Sequence, residues 1–589
     1  TQALTKRFLN VTGGCTVFSG NYSKGAAQTV LPYLLGSRWT ESGADAATMN
    51  SSAMVILWGA NVLDTRLGSE MPRRLLEAKR RGVPIVAIDP RRTATVAGAA
   101  SWWIPCRPGT DAALMLAVLH VLLSERLVDL ARVGSLAAGF DSLARSVLGQ
   151  DGGTARTPGW AEAVCGVPAA ETVRFARAWA AAHPAMLIPG FSIQRVRDGE
   201  ETYRLTVALQ LATGNFGVRG GSTGSLNNNL PTPRVGTMSA MRPAGQPTIP
   251  VLRWPDAILQ GRNGGFPTDI RAAYVAGGNH LNQGSDVRKN TAAFDALDFA
   301  VCHELFLTPT ARRCDVILPV ASPLEKEDIG IPWLGNYLLY KPAALPPAGS
   351  ARSDYDIFCE LSGSMGAGGE FSGGRTAAQW IDTFLEASDV PDHEEFKRTG
   401  IWLAPDQERV GLEGFASDPT GRPLDTPSGK VEIESERYAR VTGFPALPGW
   451  RDRETDPRWP LSLVTPKRAD RTHSQLGDRS SPLGPADHAL QMNPSDAARR
   501  GIAAGDEVRM FNSNGVVNVR VNVTDDIMPG VVSLYEGVWL QLDEHGEDRA
   551  GSANMLSDTG GTGPGHACVM HALPVEVERG ARGSGAGVP

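Results

Sequence analysis

"AMVILWGAN" (residues 53–61) and "VPIVAIDPRRT" (residues 83–93) decide the fold of this chain. Both runs are apolar on consecutive rather than alternate residues, which is the pattern of a strand covered on both faces. The first ends in Gly59 and Asn61, the second in Asp89 and Pro90. Between them "EMPRRLLEAKRRG" (70–82) has helical spacing and stops at Gly82. Strand, helix and strand in this order make a βαβ unit of a parallel sheet. "WWIPCRPGTDAALMLAVLHVLL" (102–123) adds a further strand, a turn at Pro108–Asp111 and a long helix.

The same plan recurs about two hundred residues later. "IRAAYVAGGNHLNQGSD" (270–286) is a strand ending in Gly277, Gly278 and Asn279; "VRKNTAAFDAL" (287–297) is a helix. "DFAVCHELFLTPTARRCDVILP" (298–319) is a strand ending in His303 and Glu304, followed by another strand. Asn61 and Asp89 stand 28 residues apart, Asn279 and Glu304 25 apart. Ligands of such sheets sit at the carboxyl ends of the strands, where loops offer N–H groups and a carboxylate can grip a nucleoside. Gly-Asn after a strand is also a favourable turn, but repetition of the whole plan points to binding, and two lobes suggest two nucleotide-like ligands or one ligand of two halves.

From about Trp459 the character changes. "PLSLVT", "HALQMN", "DEVRMFN", "GVVNVRVNV" and "GVVSLY" are short strands between Pro, Gly and Asn-Gly turns, a β-barrel pattern. "TGNFGVRGGSTGSLNNNLPTPRVG" (213–236) reads as irregular, "GSMGAGGEFSGGRT" (363–376) as a surface loop and "ERGARGSGAGVP" (578–589) as a disordered tail. The expected fold class is therefore α/β, two related dinucleotide-binding lobes followed by a C-terminal barrel. The expected domains are 1–40, a metal-ligand loop region left from an N-terminal domain; 41–235 and 236–440, the two lobes; and 441–577, a barrel that caps the cofactor.

At 589 residues the chain needs several cores. Its 57 basic and 63 acidic residues give a net charge of -6 without long runs of one sign, which argues against nucleic acid or an anionic membrane as partner. The longest apolar stretch, 112–123, falls short of the roughly 20 residues of a membrane span and reads as a buried helix. Seven cysteines without C-x-x-C spacing disfavour a disulfide framework, a zinc site or an iron–sulfur site held by this sequence alone. A nicotinamide dehydrogenase is disfavoured because no G-x-G-x-x-G follows the first strand.

The ordered string "WGANVLDTR" (58–66), "AIDPRRTATVAGAASWWIPCRPGTDAAL" (87–114), "GFSIQRVRDGE" (190–200), "LATGNFGVRGG" (211–221), "AGGNHLNQGSD" (276–286), "CDVILPVASPLEKEDIG" (314–330), "TPSGKVEI" (426–433) and "MNPSDAARRGIAAGDEVRMFNSNG" (492–515) resembles the molybdopterin oxidoreductases of the dimethyl sulfoxide reductase family. The resemblance runs from about Leu9 to Val577. It is strongest to catalytic subunits of membrane-anchored dimethyl sulfoxide reductases, which carry "GTYS" where residues 20–23 here read "GNYS".

That resemblance implies a molybdenum ion chelated by two molybdopterin guanine dinucleotides, with Ser23 as the protein's own metal ligand. A hard alkoxide oxygen suits a high-valent, oxo-bearing metal. The bland reading of Ser23 is a loop serine capping a turn. Tyr22 is read as a hydrogen-bonding neighbour of the departing oxygen or as loop packing. For the first lobe the resemblance implicates Gly59, Asn61, Asp89, Arg91, Gly109, Thr110 and Asp111, the last also suited to interact with a helix dipole. For the second it implicates Phe191, Gln194, Asn279, His303, Glu304, Lys326 and Asp354; a surface ion pair is the plain alternative for Lys326. From the barrel come Thr465, Lys467, Arg471, Thr472, His473 and Ser474, with Asn554 and His566 from C-terminal loops. A hydrogen-bonded structural histidine is the plain alternative for His473. Trp58, Trp102 and Trp103 read as core.

Members of this type carry an N-terminal four-iron, four-sulfur cluster and an export signal, neither present here, so the sequence reads as lacking that iron–sulfur region. The implied function is that of a terminal reductase taking oxygen from an S-oxide or N-oxide, dimethyl sulfoxide first, in anaerobic respiration. The implied partners are a small-molecule oxide, an iron–sulfur electron-transfer subunit and a membrane-anchor subunit that oxidises quinol. The implied location is the periplasm or the periplasmic membrane face, without direct insertion. The readings left open beside it are a selenate or related oxyanion reductase, a hydratase or hydroxyl transferase, and a metal-free structural subunit of a respiratory complex.

Overall fold

The computed structural model describes residues 1–65, 70–226, 232–333, 335–405, 408–454, 456–477 and 488–580. The chain divides into two compact units, Gly20–Leu230 with Glu408–Pro589, and Thr1–Ser19 with Pro231–Gln407.

In the larger unit four parallel strands lie in the order Trp102–Ile104, Ile85–Ile88, Met54–Trp58 and Ala185–Pro189. Every residue of the last three is buried, as their unbroken apolar runs require. The apolar stretch at 112–123 forms the buried helix Asp111–Ser124, packed against the buried helix Glu200–Ala212. Among the described residues no helix is long and apolar enough to cross a membrane. Trp58 is fully buried, and its Nε1–H donates to Asp111 Oδ1 at 3.0 Å; Trp102 and Trp103 are half-buried. Gly190, directly after the fourth strand, has no room for a side chain, because a Cβ there would strike the carbonyl of Gly59.

Six strands close the barrel: Leu461–Val464, Val531–Ser533, Leu490–Met492, Val516–Val523, Glu507–Phe511 and His571–Arg579. It packs on the carboxyl end of the four-stranded sheet, where Arg91 bridges Ile527 and the Met528 N–H donates to Pro90 O at 3.0 Å. The segment 408–440, expected with the second lobe, belongs to this unit. Val431–Glu432 pairs with Ala137–Ala138, and Val431, Ile433 and Tyr438 join the core around the long helix. Strand His571–Arg579 continues through Glu578 and Arg579, where a tail was expected, because Arg509 and Glu578 pair across it; 581–589 lie outside the described residues.

The smaller unit repeats the plan with three parallel strands, Val316–Pro319, Phe299–Glu304 and Ala272–Ala276, and the helix Val287–Asp295. Thr1–Ser19, expected as a remnant of another domain, is integral here. Helix Gln2–Val11 packs Phe8 against Tyr274 and Phe358, and Val17–Ser19 pairs in parallel with Thr248–Pro250. Within 363–376, expected as a loop, Gly368–Ser372 is helical because Phe371 anchors it, fully buried.

Candidate functional site

The expected first-lobe residues gather at the strand ends of the larger unit, but their roles differ. Asn61 is engaged by the protein itself: its Oδ1 accepts from Thr95 Oγ1 at 2.7 Å, and its Nδ2 donates to Asp64 at 2.7 Å. Asp89 and Asp111 are enclosed carboxylates with few donors, Asp89 Oδ1 accepting the Arg91 N–H at 3.0 Å and Asp111 Oδ1 the Trp58 Nε1–H at 3.0 Å. Burial raises the Asp89 carboxyl, with Arg91 opposing, and pushes Asp111 up to about 6 although Trp58 donates to it. Carboxyl groups desolvated at the end of a parallel sheet fit the N–H and O–H groups of a guanine nucleoside. Gly109 and Thr110 form the turn into helix Asp111–Ser124, Gly109 with φ 76°.

Ser23 lies in the same unit. Asn21 Oδ1 accepts the N–H groups of Ser23 and Lys24 at 2.7 and 3.0 Å, and Arg195 Nε donates to Ser23 O at 3.1 Å. The turn is thus capped by Asn21, and the Ser23 hydroxyl has no hydrogen-bond partner among the described residues. Its backbone is held on both sides. Tyr22 beside it is half-buried.

Phe191 and Gln194, expected to serve the second lobe, stand in this larger unit because they follow the strand Ala185–Pro189, which pairs beside Met54–Trp58. Gln194 Oε1 accepts the N–H of Ala27 at 2.9 Å. Their segment anchors the Ser23 turn: Arg195 also offers its carbonyl to the Met570 and His571 N–H groups, at 2.9 and 3.1 Å.

The barrel supplies a polar cluster. Thr465 N–H donates to His571 Nδ1 at 3.1 Å and Thr465 Oγ1 to Met570 O at 2.7 Å. Lys467 Nζ lies 2.7 Å from Glu536 and 2.6 Å from His473 Nδ1. Burial opposes ionisation of Glu536, yet His473, Lys467 and Arg195 hold it well below the usual carboxylate range. Burial lowers the pKa of Lys467 and of Arg471, whose buried Nη1 has no partner among the described residues. A buried guanidinium nitrogen without an acceptor suits a phosphate oxygen. Thr472 is exposed, Ser474 is buried with its carbonyl on Trp539 Nε1, and Asn554 is buried. His473 and His566, both exposed, hold φ of 51° and 43°, a strained region for residues with a Cβ and one often kept at functional loops.

In the smaller unit the structure joins His303, Lys326 and Asp354. Asp354 Oδ1 lies 3.0 Å from His303 Nδ1, and its Oδ2 lies 3.2 Å from Lys326 Nζ and accepts from Thr1 Oγ1 at 2.8 Å. His303 Nε2 meets the Tyr274 hydroxyl at 2.8 Å. Burial opposes it, but His303 and Lys326 hold Asp354 well below the usual range. Lys326 therefore has a buried partner and is no surface pair. Asn279 repeats the part of Asn61, its Oδ1 accepting from Thr310 Oγ1 at 2.8 Å, and Glu304 is pushed up by burial.

Sequence reasoning missed Asn21, Arg195, Glu536 and His571. Arg195 stands inside the recognised "GFSIQR" run, and its place beside Gln194 was the available signal. Glu536 is recognisable only once the barrel closes beside Lys467.

Residues 1–364 match the molybdopterin oxidoreductase family and residues 461–570 the molybdopterin dinucleotide binding domain. The dimethyl sulfoxide/trimethylamine N-oxide reductase of Cereibacter sphaeroides is 33% identical over 95% of this chain and 75% of its own. The dimethyl sulfoxide reductase DmsA of Escherichia coli K12 is 31% identical over 94% of this chain and 75% of its own. Among solved structures, the acetylene hydratase of Pelobacter acetylenicus shares the fold with a TM-score of 0.76 at 21% identity, covering 98% of this chain and 84% of that one.

Proposed function

We propose, given that the chain belongs to the molybdopterin oxidoreductase family, that it is a molybdenum reductase that removes oxygen from an S-oxide or N-oxide, dimethyl sulfoxide first among them. The observation that carries this reading is Ser23, fixed at both its N–H and its carbonyl while its hydroxyl is left over. Overall, a sulfoxide takes up two electrons and two protons, its S=O bond breaks, and a sulfide and one water leave. When bound, a molybdenum bis(molybdopterin guanine dinucleotide) supplies the two-electron chemistry, as cofactors do in general.

The chain's own residues hold and orient that group. Ser23 offers its oxygen as metal ligand, with Asn21 and Arg195 setting the angle of approach. Asp89 and Asp111 accept N–H and O–H bonds from a nucleoside, which would restore both to ordinary carboxylates. Arg471, through its Nη1 that has no partner among the described residues, meets a phosphate, and the Lys467–Glu536–His473 cluster keeps the neighbouring loop in place. Tyr22, next to Ser23 in the chain, would hydrogen-bond the departing oxygen or pack the loop.

Within the same reading the enzyme works as a terminal reductase of anaerobic respiration at the periplasmic face. Its electrons come from an iron–sulfur subunit and a quinol-oxidising membrane anchor, by way of a four-iron, four-sulfur cluster outside this sequence. The test is to purify the protein expressed with its upstream region, measure molybdenum, tungsten and pterin, and assay a panel of oxides with reduced viologen. Two pterins per metal and turnover of dimethyl sulfoxide or trimethylamine N-oxide are expected. A metal-loaded protein that reduces no oxide, or turns over only selenate, would redirect the assignment.

A further inference from the structure

Glu200 has no part in the chemistry so far, yet it is the most thoroughly enclosed acid near the Ser23 segment. It is 0% exposed and stands where helix Glu200–Ala212 begins. Its Oε1 accepts from Thr562 Oγ1 at 2.6 Å and from the Gly565 N–H at 3.0 Å. Its Oε2 has no hydrogen-bond partner among the described residues.

The loop it grips is built around it. The Thr562 hydroxyl that donates to Glu200 also receives the Ala567 N–H at 3.3 Å, and the Thr562 N–H reaches Ala567 O at 2.9 Å, so both ends of the turn are tied to one carboxylate oxygen. A Cβ at Gly565 would lie 2.8 Å from Glu200 Oε1, 2.8 Å from Thr29 Oγ1 and 3.2 Å from Ala26 Cα; one at Gly563 would lie 2.9 Å from Oε2. A Cβ on Gly25 would lie 2.9 Å from that of Ala567. The loop thus rests directly on the first turns of helix Gly25–Leu35, which Ser23 leads into, and carries His566 in its strained conformation.

We propose that Glu200 is a positioning residue for the Ser23 centre, a proton-carrying clasp that fastens the loop 558–567 onto helix Gly25–Leu35. This rests on the reading of Ser23 as metal ligand. Among the described residues no cation neutralises Glu200. On its own helix Glu201 pairs with Arg204; Tyr438, with Arg451 beyond it, faces the group from helix Glu436–Thr442; at the head of the loop Arg197 is taken by Asp558. Burial pushes the carboxyl up to about 7, with Thr562 and Gly565 opposing and Glu201 adding to the rise. Below that pH the clasp is neutral and closed. Above it a buried carboxylate is left with Oε2 unsolvated and no partner among the described residues, and the loop loosens to let water reach it.

The test is hydrogen exchange of the holoenzyme, read on the peptides covering 558–567 and 24–35 at pH 6 and pH 8.5 and corrected for the intrinsic pH dependence of exchange. The natural protein should lose at least tenfold in protection of 558–567 at the higher pH. Glu200→Gln, whose amide oxygen can take both hydrogen bonds, should stay protected at both pH values, and its kcat should lack the fall between pH 6 and pH 8.5 that the clasp predicts for the natural protein. Glu200→Ala should be unprotected at both. Protection in Glu200→Ala equal to that of the natural protein, or a pH response shared by Glu200→Gln, would overturn the clasp. Ser23→Ala separates the two ideas: it should abolish turnover and leave the exchange of 558–567 unchanged. Full turnover in Ser23→Ala would remove the metal-ligand premise, and with it the catalytic part of the proposal, even where exchange supports the clasp.

Discussion

The two α/β lobes follow one plan and end it differently. In the larger unit the strands Met54–Trp58, Ile85–Ile88 and Ala185–Pro189 are wholly buried; in the smaller, Phe299 is 46% and Val316 38% exposed. The polar ends diverge in the opposite sense. Asp89 and Asp111 are raised by burial, each with a neutral N–H donor, whereas Asp354 takes His303, Lys326 and Thr1 and is strongly lowered. The common element is the asparagine after the first strand, which ties down a threonine of the next loop in both lobes, Asn61 to Thr95 and Asn279 to Thr310. The two lobes share a scaffold, while the carboxylates at their strand ends take neutral N–H donors in one lobe and charged or histidine partners in the other.

The largest effect should separate the two sheets. Trp58→Ala removes a fully buried side chain and the donor to Asp111, and should cost about 4 kcal/mol in denaturant unfolding; Phe299→Ala in the smaller sheet should cost under about 1 kcal/mol. Equal losses would show that the exposed sheet face is covered in solution.

The carboxylates should respond with opposite signs. Asp354→Ala leaves Lys326 without its counter-charge and His303 Nδ1 without its hydrogen-bond partner, and should destabilise by about 3 kcal/mol. The folded-state pKa of Asp354 is depressed, so its contribution is present above the unfolded value of about 3.9 and is lost as pH falls further. Asp111 is the reverse: its pKa is raised to about 6, so ionisation weakens the fold as pH rises from about 4 to 6. Asp111→Asn should therefore stabilise cofactor-free protein at pH 8 by up to about 3 kcal/mol, have no effect near pH 4, and weaken pterin retention. Destabilisation at pH 8 would mean that the hydrogen bond from Trp58 favours the charged carboxylate by more than its burial costs. Smallest and most alike should be Asn61→Ala and Asn279→Ala, about 1–2 kcal/mol each by thermal unfolding, because each loses the same clamp; a difference larger than that would break the equivalence of the lobes.

What could be read from sequence was what repeats or is local. Consecutive apolar runs announced the first parallel sheet and repetition of its plan the second, short strands between Gly and Pro turns announced the barrel, and "GNYS" nominated the Ser23 loop. What escaped was non-local. Val431–Glu432 pairs with Ala137–Ala138, nearly three hundred residues away, and no pattern in either dipeptide declares it. Phe371 turns a glycine-rich stretch into a helix only because a pocket awaits it. The same holds at the site: type and order nominated Asp354, Lys326 and His303 one by one, but only the fold shows that they satisfy each other. Arg195 and Glu536 gain their roles from Ser23 and Lys467, far along the chain.

The central claim is that the Ser23 oxygen is the protein's ligand to the metal, and Ser23→Ala tests it most directly. Molybdenum and pterin content should stay at the level of the natural protein, since the dinucleotide contacts are elsewhere, while reduction of dimethyl sulfoxide by reduced viologen should fall at least about 1,000-fold, ~4 kcal/mol in barrier height. A fully loaded Ser23→Ala enzyme with unchanged turnover would contradict the account.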